Sequence, residues 1–76
     1  MFLHKIQCWF AARRMNALAY TILVQRLQSP YITQKFNDER DAPNIFLLKV
    51  AVHRCIDLGM FTALTIPERI KQVLRN

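Results

Sequence analysis

No acidic side chain occurs in the first 37 residues, yet Lys5, Arg13, Arg14, Arg26 and Lys35 fall there. Across the same stretch, positions 3, 6, 10, 13, 17, 20, 24 and 27 advance in alternating steps of three and four. Leu3, Ile6, Phe10, Arg13, Ala17, Tyr20, Val24 and Leu27 occupy them, so the stripe is apolar at every position but one. Apolar residues repeating every 3.5 positions mark a helix that packs along one seam. The pattern predicts a helix over about 2–28, with this stripe as core or dimer seam and positive charge beside it.

The charge is one-sided. The first 37 residues carry +5, and the other 39 carry six cations against five acids, which makes the formal total of +6. Such a balance points to an anionic partner: an acidic protein face, nucleic acid or an anionic lipid surface. Solubility alone is the plain alternative.

Punctuation sets the remaining elements. Ser29-Pro30 pairs a capping serine with proline at a first helical position. Asp41 reads as the cap of a helix with Pro43 in its first turn. Thr65-Ile66-Pro67-Glu68 has the spacing of a capping box. Gly59, the single glycine, suits a left-handed C-terminal cap. Asn37-Asp38-Glu39-Arg40-Asp41 reads as a loop. The expected fold is all-α: one domain of four helices over about 2–28, 30–37, 42–58 and 66–75. Its long N-terminal helix packs on the shorter ones. Leu47, Leu48, Ala51, Val52, Cys55 and Leu58 form the buried side of the third helix. Ile66, Ile70, Val73 and Leu74 form that of the fourth.

Hydrophobic residues make up 53% of a 76-residue chain. That much apolar surface is hard to hide in so small a body, so a homodimer or a permanent partner is expected. The apolar content also argues against disorder.

Chemistry is sparse. His4, Cys8, His53 and Cys55 are the candidate metal ligands. His4 and Cys8 share a helix face, but His53 and Cys55 sit about 200° apart on a regular helix, so no four-ligand site closes. Two cysteines make no disulfide framework and read as free thiols in a reducing compartment, the cytoplasm. One glycine allows no phosphate-binding loop, and the acids Asp38, Glu39 and Asp41 cluster as a solvated group. No catalytic residue, metal or cofactor is assigned.

The expected function is therefore binding: a small basic protein acting stoichiometrically as regulator, adaptor or inhibitor on another protein with an acidic face. Lys5, Arg13, Arg14, Arg26, Arg69, Lys71 and Arg75 are the candidate anion- or partner-binding residues, with Arg54 behind them. Arg13, inside the seam, either snorkels to water or fixes register by pairing with an acid. A DNA- or RNA-binding regulator is the alternative, on the loose helix-turn-helix outline of the last two helices. A membrane-peripheral subunit comes third. There Phe2, Leu3, Trp9 and Phe10 with the nearby cations would form an interfacial helix, but the same aromatics are expected in the core.

Overall fold

The computed structural model describes the backbone of residues 2–28 and 34–75, and the side chains of 2–28 and 39–75. All of its regular structure is helical: α1 (Phe2–Leu27), α2 (Gln34–Asp57) and α3 (Glu68–Arg75). α1 and α2 form an antiparallel hairpin, since Arg26 meets Asp41 near the connection while Arg14 and Arg54 border one groove further along. α3 lies along the later half of α1, with Arg69 against Asn16 and Val73 against Arg26. The body measures 47 × 21 × 17 Å. Its radius of gyration, 13.6 Å, exceeds the roughly 11 Å of a compact chain this long. The 26-residue α1 runs about 39 Å, and α3 has only 8 residues with which to cover it.

Among the described residues there are three helices where four were expected. The stretch read as a loop before Asp41 is helical, and Pro43 lies inside α2 instead of in its first turn. Proline within a helix removes a backbone hydrogen bond and costs about 3 kcal/mol or more. Two features offset this. Pro43 leaves open the carbonyl of Glu39, an exposed residue that water can reach. Asp41, expected to cap a helix start, instead turns inward, where arginines hold it and anchor the segment before the proline. Of the expected helix 30–37, positions 34–37 belong to α2. Its Ser29-Pro30 start, with the rest of 29–33, lies outside the described residues.

The core is Met15, Ala19 and Ile22 of α1, Leu48, Ala51, Val52 and Cys55 of α2, and Ile70 and Val73 of α3. The anticipated buried side of α2 is there, save that Leu47 is exposed and Leu58 half-buried. On α1 the inward stripe is a different one from the 3.5-residue seam. Leu3, Phe10, Ala17, Tyr20 and Leu27 are exposed, with Ile6 and Val24 half-buried, so this seam is not the core of the chain. The aromatics Phe2, Trp9, Phe10 and Tyr20, expected inside, face outward as well. α1 is apolar on two opposite faces, and the described residues of the chain cover only one of them.

The helix ends follow their sequence signals unevenly. Gly59, at φ 80°, closes α2: its N–H donates to the Ile56 carbonyl and that of Met60 to the Cys55 carbonyl. This is the double bond pattern of a left-handed C-cap. A Cβ at Gly59 would meet nothing within 4 Å, so its role is the backbone conformation alone. α3 begins two residues later than anticipated, with the Pro67 carbonyl accepting from Ile70 and Lys71. The Thr65 hydroxyl instead accepts from the Thr62 N–H at 2.9 Å and orders the connecting turn.

Candidate docking surface

The outward stripe of α1 runs its full length. Phe2, Leu3, Trp9, Phe10, Tyr20, Leu23 and Leu27 are between 41% and 80% exposed. Single exposed apolar residues are ordinary, but a contiguous face of this kind is a candidate docking surface. Trp9 and Phe10 stack edge to face, with centroids 4.9 Å apart and planes at 77°. The Arg13 guanidinium lies 5.3 Å from the centroid of the Trp9 ring. Arg13 is thus exposed and pairs with no acid among the described residues; a cation over the indole face is held by the ring quadrupole.

Two shallow depressions flank the stripe. One, of about 290 Å³, lies between α1 and α2 and is lined by Ile6, Gln7, Phe10, Ala11, Arg14 and Arg54. Arg14 and Arg54 enter it from different helices, and no acid among the described residues pairs with either. The other, of about 420 Å³, lies at the α1–α3 junction, lined by Asn16, Ala17, Ala19, Tyr20, Leu23 and Arg69. It is almost wholly apolar, and Arg69 is held there by a 2.8 Å bond to the Asn16 side-chain oxygen.

The structure divides the sequence-derived cations into two groups. Lys5, Arg13 and Arg14 are exposed on α1. The others have contacts within the chain: Arg69 on Asn16, Lys71 on the Leu64 carbonyl at 3.4 Å, Arg75 near Glu68 at 3.9 Å. Arg26 is the most committed. Its Nε donates to Asp41 at 3.0 Å, and Nη1 and Nη2 donate to the Val73 carbonyl at 3.4 Å. Asp41, 2% exposed, also accepts from Arg40 Nε at 3.2 Å. The Val73 carbonyl lies in the last turn of α3, where carbonyls lack helical partners and a cation meets the negative dipole end. One guanidinium therefore joins all three helices. Reading the sequence missed this clamp. An antiparallel pairing of α1 with α2 places positions 26 and 41 opposite each other, which was the available signal.

The thiols Cys8 and Cys55 are free. Cys8 lies 3.5 Å from His4 Nε2 on the same helix face. Burial in the core, and then the nearby Cys8, push the Cys55 thiol above its ordinary range, so it stays protonated and packs as a small apolar group. No group of three or more metal-ligating side chains gathers among the described residues. No helix among them is long and apolar enough to cross a membrane.

Comparison of the chain with known protein families, with curated proteins and with solved structures found no match.

Proposed function

We propose that the protein is a small dimeric docking protein that acts stoichiometrically, as regulator, adaptor or inhibitor, on an acidic face of another protein. One observation carries this reading. Arg14 and Arg54 converge from two helices on a groove with an apolar floor, beside an uncovered apolar stripe. Guanidinium groups are suited to carboxylates, which they bind in bidentate fashion. Lys5 adds a cation on the other side of the aromatic cluster, where it borders a depression with Phe2, Ile6, Trp9 and Phe10. The reducing cytoplasm suits the two free thiols.

The test is a variant with Lys5, Arg14 and Arg54 all changed to glutamine, compared with the parent for binding to the protein that co-purifies with the tagged chain in its native host. The three charges are exposed, so thermal stability should hold. Partner association should slow and lose its salt sensitivity. Unchanged binding with an unchanged salt response would refute the reading. Preferential binding of duplex DNA or RNA, with affinity falling steeply with salt, would assign the surface to nucleic acid instead.

A further inference from the structure

We propose that the outward stripe of α1 is the seam of an antiparallel homodimer whose register brings Trp9 of each copy to the groove beside Leu23 of the other. This deepens the docking reading, whose dimer it takes up, by naming what covers the stripe.

The stripe is a chemical palindrome. Paired from its two ends, Leu3 meets the partner's Leu27 and Ile6 meets the partner's Val24. Phe10 meets the partner's Tyr20, and Arg13 meets the partner's Ala17. Each pair matches in kind and size, except that the one long cation meets the smallest residue. Antiparallel seams join alternate heptad positions in this manner, and here every one of the eight has a counterpart with no overhang. A parallel pair would instead set Arg13 directly against Arg13, and would gather both copies of Lys5 at one end of a helix pair that holds no acid. The antiparallel pair sends Lys5 to opposite ends and aligns each helix dipole with its opposite.

The flank supplies a second, independent fit. Trp9 lies beside the seam and is 55% exposed. In the antiparallel register its neighbour across the seam is the partner's Leu23. Leu23 with Tyr20, Ala17 and Ala19 lines the apolar depression of about 420 Å³ at the α1–α3 junction. The contact is reciprocal, as a twofold interface requires: residue 9 meets 23, and 23 meets 9. In a parallel pair Trp9 would lie by the partner's Arg14 and both depressions would stay open. The area is adequate too. The exposed fractions of Phe2, Trp9, Phe10 and Tyr20 amount to about 500 Å² of aromatic surface. With Leu3, Leu23 and Leu27 the face approaches the roughly 800 Å² that each partner brings to a stable interface.

The experiment uses the purified chain with Cys8→Ala, carrying either Leu3→Cys or Leu27→Cys, under mild oxidation. The expected result is a disulfide-linked dimer only when the two variants are mixed, because identical positions lie about 36 Å apart along the antiparallel pair. Linked dimers from either variant alone would overturn the antiparallel register. Sedimentation of the unaltered chain should give twice the 9.0 kDa chain mass at micromolar concentration. Phe10→Glu should give a monomer with unchanged helicity, and Trp9→Ala should weaken self-association about tenfold or more. An unaltered chain that sediments only as a monomer would overturn the proposal. No other protein is present, so failure of the acidic-partner reading leaves these results untouched. Self-association should also tighten as salt rises, since the two Arg14 side chains stand near each other at the twofold axis and are then screened. A partner held by its acidic face would loosen.

Discussion

The two faces of α1 are built from similar residues to opposite ends. The inner face carries Met15, Ala19 and Ile22, each at most 4% exposed, and the outer carries Phe10, Tyr20 and Leu27 at 60–80%. The larger side chains are outside. An inner face with alanine at its centre lets α2 and α3 approach closely, while an outer face of aromatics and leucines presents area. Hydrophobic content therefore does not tell which side of a helix its own chain will cover. Side-chain size and the length of the covering helices decide that.

This contrast can be broken from either side. The largest effect on the monomer should come from Ile22→Ala, which opens a cavity in a fully buried site and should cost roughly 2–5 kcal/mol in chemical denaturation. Next is Asp41→Ala. It leaves Arg26 and Arg40 facing a hole between helices and should cost about 3 kcal/mol, the low end for a broken buried pair because Arg26 keeps some solvent access. The outer face should answer differently. Tyr20→Ala should move monomer stability by no more than about 0.5 kcal/mol while self-association falls by sedimentation. A destabilisation comparable with that of Ile22→Ala would mean the outer face is part of the monomer core after all.

The smallest effect is a pH dependence of the inner face. The folded state holds the Cys55 proton more tightly than the unfolded state does. Stability from this group is thus complete below the ordinary thiol range, near about 8.5, and declines as pH rises through it toward the raised folded value. Cys55→Ala should flatten that alkaline decline in denaturation curves, and an identical slope in both proteins would remove the thiol as its cause.

Much of the fold was legible where a residue has one physical option. Gly59 had to be a left-handed cap, and the apolar repeat over 3–27 had to be helix. Legibility ended where two options share one signature. Asp41 before Pro43 has the form of a helix start, yet an ion pair to a residue 15 positions away outweighed the local cue. The seam showed that a stripe packs, but periodicity cannot distinguish a stripe covered by α2 from one left to another chain. Arg26 looked like its exposed neighbours because its burial depends on the position of α3.

The clamp at Arg26 also sets an order of events. α3, with 8 residues, is shorter than the roughly 12–15 needed for a helix to persist alone in water. It therefore forms only on the hairpin and opens before it. When it opens, the bonds to the Val73 carbonyl and to Asn16 are lost, but the Arg26–Asp41 pair is made by the hairpin alone and persists. Amides of Ile70 to Arg75 should therefore exchange with solvent deuterium well ahead of those around Leu48 and Val52. The register of α1 on α2 stays locked through that opening, and α3 returns to a guanidinium already in position.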